Sequence, residues 1–279
     1  MGKVSREVLL HRVAKLKAEN RAIIATGAGI GITARCQEVA GSDLILVDMA
    51  ARMRMAGFGA MSANFAVKRA NSLIAELAPE ILPIVEHTPV LAGVAATEPF
   101  ADIRQTIREC SECGYSGVFN SPSVGWNDSF NAKNLTRVGL GYDREIELIA
   151  VAHGENLITL ARCYDAWQAG EMARAGADFI VADLGPTAGG LSGVKTTLDH
   201  DEIRKLTESI VRAARGENES VTVLCTGGPL AAPREVELLL NSIAGLDGFY
   251  GGSATDSIPM EQGIISVAQG FKQTRLYGF

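Results

Sequence analysis

The chain lacks the features that mark several large protein classes. It contains no apolar run of 18 residues, the length a membrane-spanning helix needs, and residues 1–20 carry no hydrophobic core of a secretory leader. Basic residues are not in surplus. With 26 Lys and Arg against 32 Asp and Glu, the net charge is −6, so no counterion-displacing surface for nucleic acid is expected. The five cysteines are an odd number in a large chain and read as reduced thiols rather than a disulfide framework. Cys110-x-x-Cys113 has no second pair or histidine nearby to complete a zinc site. The four histidines, His11, His87, His153 and His200, are scattered, so no Ser-His-Asp set or histidine-based metal site is supported. Tandem repeats and low-complexity segments are also missing. These absences point to a soluble, cytoplasmic protein with neither a membrane nor a nucleic-acid partner.

What is present is a rhythm. Eight short apolar runs, Ala22–Thr26, Leu44–Asp48, Pro89–Val94, Gly117–Asn120, Leu157–Ala161, Phe179–Asp183, Val221–Cys225 and Gly248–Tyr250, alternate with helical stretches. None shows the polar alternation of a strand with one wet face, so each reads as a strand covered on both sides. Strands of this kind in alternation with helices predict an α/β fold, a (β/α)₈ TIM barrel. A single domain is expected over 1–279, with a leading helix in 1–20, the barrel in 21–268 and a tail in 269–279. The leading helix, with Val8, Leu9, Val13 and Leu16 on one side, either plugs the barrel bottom or packs on a neighbouring subunit. In a barrel the reactive side chains lie just past the C-terminal ends of the strands.

Several residues at those strand ends carry possible chemistry. The doublets Gly227-Gly228 and Gly251-Gly252, the latter followed by Ser253, leave backbone N–H groups open to a phosphate or carboxylate. The alternative is that they merely permit tight turns. Gly27-Ala28-Gly29-Ile30-Gly31 has G-x-G-x-G rather than dinucleotide spacing, and a barrel offers no open-sheet crevice. It is read as a turn that brings Gly27 and Gly29 amides to the pocket, and no nucleotide cofactor is expected. Arg52 and Arg54, in a loop expected over Met49–Ala60, either clamp an anion or close a salt bridge. Asp48, Glu98 and Asp183 end strands 2, 3 and 6. Together they could bind a divalent metal such as Mg or divide acid and base roles, while singly Glu98 could cap the following helix and Asp183 could tether a loop. Asn120 ends strand 4 and opens the longest loop, Ser121–Gly141, which reads as a lid. Lys195 sits among Thr187, Ser192, Thr196 and Thr197, placed to neutralise an oxyanion, to form a Schiff base, or simply to be solvated.

Seven segments in register carry a resemblance: Ala25–Gly31, Arg52–Gly57, Val90–Val94, Gly139–Glu145, Ala175–Asp178, Cys225–Pro229 and Gly248–Gly251. Their order and spacing, over about Asn20 to Ala268, resemble the phosphoenolpyruvate hydrolase-like TIM-barrel family. That family also forms the C-terminal domain of the tomato mosaic virus resistance protein. The resemblance implies a (β/α)₈ fold and a homo-oligomer. It retains Gly27, Gly29, Arg52, Arg54, Lys195, Gly227, Gly228 and an acid at Glu98. The chain departs where relatives have Tyr-Asn-Ser-Gly, for which it has Asp48-Met49-Ala50-Ala51, and at two positions often histidine, here Asp183 and Thr226. Phosphonopyruvate-processing barrels hold magnesium with closely spaced acids after strand 3 and another after strand 4. Here those strands offer only Glu98 and Asn120.

These readings converge on a lyase or hydrolase acting on a small anionic oxo acid of the phosphoenolpyruvate or phosphonopyruvate class. Asp183 and Asp48 would handle protons, and Lys195 and arginine would stabilise an enolate or oxyanion. Arg52, Arg54, Asn120 and the glycine turns would hold the anion. Two alternatives remain: a noncatalytic ligand-binding or protein-interaction barrel, favoured by loss of both family histidines, and a class I aldolase using Lys195.

Overall fold

The computed structural model describes residues 3–65, 69–195 and 197–276, so Thr196 and the ends of the chain lie outside the described residues. Eight strands are present: β1 (Ile23–Gly27), β2 (Leu44–Val47), β3 (Val90–Val94), β4 (Gly117–Asn120), β5 (Ile158–Cys163), β6 (Phe179–Asp183), β7 (Thr222–Thr226) and β8 (Gly248–Gly251). Each pairs in parallel with the next, and β8 pairs with β1 to close the barrel. The apolar runs in the sequence mark these strands to within two residues.

Two-sided burial explains why the runs do not alternate in polarity. Along each strand, every second side chain points into the barrel. Leu44 and Leu46, Ile158 and Leu160, Phe179 and Val181, Leu224 and Tyr250 meet in the central cluster. Their neighbours in sequence, such as Ile45, Val47, Ala161, Ile180 and Val223, face outward beneath the helices. Leu9 and Val13 of α1 (Arg6–Ala18) join the central cluster. The leading helix therefore plugs the barrel, fixed by Arg6 to Asp178 at 2.6 Å and Lys17 to Asp247 at 3.1 Å.

The remaining helices are α2 (Gly31–Val39), α3 (Met49–Met55), α4 (Ala70–Ile81), α5 (Ile103–Cys113), α6 (Ser129–Arg137), α7 (Asp143–Gly154), α8 (Ala166–Arg174), α9 (His200–Glu217), α10 (Pro233–Ser242) and α11 (Ser257–Lys272). Aspartate side chains start five of them: Asp48, Asp102, Asp128, Asp165 and Asp199 each accept the amide three residues on. Two of these caps alter the sequence reading. The expected loop Met49–Ala60 begins as α3 because Asp48 caps a stretch of good helix formers. The expected loop Ser121–Gly141 contains α6, started by Asp128. Residues 66–68 lie outside the described residues, and around them the segment between α3 and β3 holds a 3₁₀ turn over Ala60–Asn64, α4, and a second 3₁₀ turn over Leu82–Ile84.

The last helix behaves differently. Past Ile258, α11 stands off the barrel wall, and residues 262–272 are all exposed. On the outer wall near β1 and β8, two cavities of about 750 and 570 Å³ open, both bordered by Ile24 and Thr255. Val236, Leu240 and Phe249 line the first, and Ile32, Cys36 and Met260 the second.

The plug supplies a direct test. Leu9 is 1% exposed and its neighbour Val8 is 45% exposed. Leu9→Ala is expected to cost roughly 2–5 kcal/mol of stability in urea unfolding, and Val8→Ala to stay within about 0.5 kcal/mol.

Candidate active site

The alternation that builds the core also delivers the site. Continuing each inward-facing series toward the C-terminal end replaces apolar residues by polar ones. Leu44 and Leu46 lead to Asp48, Ile158 and Leu160 to Arg162, Phe179 and Val181 to Asp183, and Leu224 to Thr226. These four residues line a cavity of about 360 Å³ at the barrel mouth, with Arg54 and Tyr164 beside them.

Charge placed in such a mouth must find a partner, because desolvation of an unpaired ion is costly. Arg162 donates from Nε and Nη2 to Asp183 Oδ2 at 2.8 and 2.6 Å, while Asp183 Oδ1 accepts the Gly185 amide at 3.0 Å. The guanidinium lies 5.9 Å from the centre of the Tyr164 ring. Burial works against its charge, yet Tyr164, Asp183, Tyr250 and Asp48 together hold it firmly protonated. A second pair lies deeper. Arg54, from α3, meets Asp256, from the turn between β8 and α11, through Nε at 2.9 and 2.8 Å and Nη2 at 2.5 Å. Their side chains are 4% and 0% exposed. Burial opposes the Arg54 charge and Asp256 overrides it. Burial also raises the Asp256 carboxyl above its ordinary range, against the pull of Arg54.

Asp48 is anchored from both sides. Its Oδ1 accepts the Ala51 amide at 2.7 Å and its Oδ2 accepts Ser121 Oγ at 2.5 Å. Two glycines make this crowding possible. A Cβ on Gly93 would lie 2.5 Å from Asp48 Cβ, and one on Gly27 would lie 2.9 Å from Arg54 Nη2.

Of the residues nominated from sequence, Asp48, Arg54, Asp183, Gly227, Gly252 and Ser253 all border this one cavity. Others serve nearby packing. Gly27 makes room for Arg54, and Gly29 lets β1's loop approach α3, since its Cβ would fall 2.2 Å from the Ala51 carbonyl oxygen. Gly251 makes room for Thr255 in the same way. Gly228, at φ +56°, gives its amide to the Gly185 carbonyl at 3.1 Å, so it acts as a turn residue. Asn120 is buried behind the wall, where it brackets the Arg162 backbone by accepting its N–H at 2.7 Å and donating to its carbonyl at 3.0 Å. Arg52 is half-buried on α3 and Lys195 is exposed, and neither lines the cavity.

Glu98 also lies apart. It accepts the Asn71 amide at 2.9 Å and pairs with Arg69 at 3.6 Å. The expected trio Asp48, Glu98 and Asp183 is therefore not brought together. Among the described residues no three His, Cys, Asp or Glu side chains form a metal-holding group. The two acids that do reach the mouth are engaged by Ser121 and Arg162, so the donor set does not fit a three-carboxylate magnesium site.

Sequence reasoning missed Arg162, Tyr164, Ser121 and Asp256. A signal existed for the first: an arginine two places past Leu160, on the inward parity of β5, has to meet a carboxylate. Ending that strand at Ala161 hid it.

Comparison with known proteins places this geometry in context. The family model described as phosphoenolpyruvate hydrolase-like matches residues 8–274. The tomato (Solanum lycopersicum) proteins ToMV susceptible protein tm-1(GCR26) and ToMV resistance protein Tm-1(GCR237) are each 38% identical over 267 residues, 96% of this chain and 35% of theirs. A putative transcriptional regulatory protein, y4pA, of Sinorhizobium fredii (strain NBRC 101917 / NGR234) is 28% identical over 95% of this chain and 44% of its own. The chain thus spans about a third to under half the length of these relatives. Among solved structures, phosphonopyruvate hydrolase in complex with oxalate and Mg++ shares the fold at TM-score 0.57 and 15% identity, covering 95% of this chain and 86% of that one. The lyase for 2,3-dimethylmalate, of the PEP mutase/isocitrate lyase superfamily, does so at 0.59 and 14%, covering 97% and 89%.

The buried pair separates structural from exposed charge. Asp256→Ala strands Arg54 in the wall and is expected to cost roughly 3–5 kcal/mol. Lys195→Ala should change stability by less than about 0.5 kcal/mol. Urea unfolding of both variants checks the contrast.

Proposed function

Because the chain belongs to the phosphoenolpyruvate hydrolase-like family, we propose that its barrel mouth binds a small oxo acid through the carboxylate and acts on it as a lyase or hydrolase. The observation that carries this reading is the Arg162 guanidinium, fixed on the inward face by Asp183 at the cavity wall. Nε and Nη2 hold Asp183, Nη1 donates to Ser121 Oγ at 3.4 Å, and Nη1 and Nη2 each keep a second N–H at the cavity wall. There they could clamp a carboxylate bidentately and stabilise the charge of an enolate as it develops. The backbone at Gly227 and at Gly252-Ser253 borders the same space and supplies further donors.

Asp183 serves here to orient Arg162. Proton transfer falls to Asp48, coupled to Ser121 across 2.5 Å. No step is routed through a metal, since the side chains do not gather a ligand set. Lys195 is exposed, whereas an imine-forming lysine is activated by desolvation, so its position lends the aldolase reading no support. The second reading, a ligand-binding barrel without turnover, is favoured by Thr226. Its hydroxyl donates to the Tyr250 carbonyl at 2.7 Å and takes no part in proton transfer.

A homo-oligomer belongs to the same proposal. Met260, Ile264, Val267 and Phe271 recur on one face of α11 at spacings of four, three and four residues, and the last three are largely exposed. Of the cavities over β1 and β8, the smaller is apolar, with Ile24, Ile32, Pro259 and Met260, and the larger mixes Val236, Leu240 and Phe249 with charged groups at its edge. A helix without a groove and a groove without a helix in one chain are both satisfied when α11 packs on a second copy.

Two measurements test these points. Oxalate should bind the protein in calorimetry, and Arg162→Lys, which keeps the charge but loses the fork, should weaken it by about tenfold or more, the scale of one charge-assisted hydrogen bond. Equal affinity in the variant removes Arg162 from the site. In sedimentation the protein should run as a dimer or larger species, and Val267→Glu with Phe271→Glu should release the monomer. A parent chain that is monomeric at tens of micromolar contradicts the oligomer.

A further inference from the structure

The mouth holds a second guanidinium that the reading above leaves without a role. Arg54 gives Nε and Nη2 to Asp256, and its Nη1 has no acceptor among the described residues. Arg54 borders the cavity, and so does Gly252, where a Cβ would lie 3.7 Å from that Nη1. The free end of the guanidinium therefore lies beside a residue with no side chain to cover it.

A hydroxyl meets it there. Tyr250 of β8 packs its ring into the central cluster with Leu46 and Leu224, and its carbonyl accepts Thr226 Oγ1 at 2.7 Å. The residue is 4% exposed and borders the cavity, yet its Oη makes no hydrogen bond to any described residue. Gly27 brings the two groups together: a Cβ there would lie 2.9 Å from Arg54 Nη2 and 3.4 Å from Tyr250 Oη. Among the described residues, the two other buried tyrosines are satisfied. Tyr115 Oη donates to the Ile74 carbonyl at 2.9 Å, and Tyr142 Oη to the Arg162 carbonyl at 2.7 Å. A buried hydroxyl with no partner is costly, and an anionic oxygen in the mouth relieves that cost at Tyr250.

The closed ring fixes where this pair stands. Arg54 and Tyr250 converge where β8 meets β1, and β5, which carries Arg162, lies opposite β1 in the strand order. We infer that Tyr250 Oη and Arg54 Nη1 form a second anion-oxygen site, which takes the end of the ligand remote from the carboxylate held by Arg162. Asp256 fixes the direction of the Arg54 fork, and Tyr250 becomes a specificity-determining residue. The ligand class is a small dianion with acceptor oxygens at both ends.

The chemistry of the pair suits that role. Arg54 can only donate, and the Tyr250 hydroxyl offers one hydrogen. Burial and then Asp48 push the phenol well above its ordinary value, against the pull of Arg54 and Arg162. The hydroxyl thus keeps its hydrogen and serves as a donor rather than a base. A carboxylate end receives charge-assisted hydrogen bonds from both groups. A methyl end leaves both donors unpaired, which is how a polar site rejects an apolar analogue.

The inference rests on the anion-site reading for the ligand's position at Arg162, so the test has a ligand-free arm and a binding arm. Without ligand, the urea midpoint of Tyr250→Phe should match that of the parent, because no hydroxyl partner is lost. Tyr115→Phe, which loses its bond to the Ile74 carbonyl, should unfold at lower urea. A fall in Tyr250→Phe as large as that in Tyr115→Phe shows a hydroxyl already paired within the protein and overturns the inference. In calorimetry the parent should prefer oxalate to pyruvate, which ends in a methyl group. Tyr250→Phe should weaken oxalate by about tenfold or more, the scale of one hydrogen bond to a charged group, while pyruvate affinity should not fall. Unchanged oxalate affinity, or an equal loss for both probes, overturns the second site and leaves Arg162 to its own variant. Oxalate weakened in Tyr250→Phe but not in Arg162→Lys removes Arg162 and keeps the second site. A parent that binds no oxalate overturns both.

Discussion

The structure depends on one constraint: a guanidinium inside a barrel has to be matched by a carboxylate on another element. Leaving either member of such a pair alone costs about 3–5 kcal/mol, a large part of the stability of an ordinary domain. Arg162 and Asp183 therefore tie β5 to β6, and Arg54 and Asp256 tie α3 to the turn after β8. These ties reach beyond the charged groups. Arg54 occupies the space that a side chain at Gly27 would fill, and Asp48 occupies that of Gly93. Glycines that look conformational in the sequence are thus steric. Neither Gly27 nor Gly93 has positive φ, so what each provides is vacancy beside a charge.

The same constraint explains what was legible in the sequence. Strands covered on both faces are continuous apolar runs, and that pattern survives without knowledge of neighbours. All eight strands and the barrel followed from it, whereas the leading helix was open between plugging the barrel and packing on a neighbour, and Leu9 and Val13 in the central cluster decide for the plug. The site was legible where a polar residue ended an apolar run, which gave Asp48 and Asp183, and where the segments after β2, β7 and β8 offered Arg54, Gly227, Gly252 and Ser253. Arg162 was hidden because the run was ended one residue early. Asp256 could not be weighed from sequence at all, since its meaning comes from Arg54, 202 residues away. Glu98 shows the reverse error. Its position after a strand suggested the mouth, but Asn71 and Arg69 of the α4 start draw it aside.

The residues that end β6 and β7 act as anchors. A neutral imidazole at the end of β6 could not neutralise Arg162, whereas Asp183 does so with a full charge and a second oxygen on the Gly185 amide. At the end of β7, Thr226 commits its hydroxyl to the Tyr250 carbonyl.

If the mouth performs proton chemistry, the transferable protons have to come from the β2 side, where Asp48 lies against Ser121. The two parts of the rim then divide the work. Arg162 with Asp183 and the glycine turns of β7 and β8 offer fixed charge and backbone donors, which act best when they do not move. Asp48 and Ser121 share a hydrogen across 2.5 Å, and a hydroxyl can turn that hydrogen toward a ligand while a guanidinium locked to a carboxylate cannot release one.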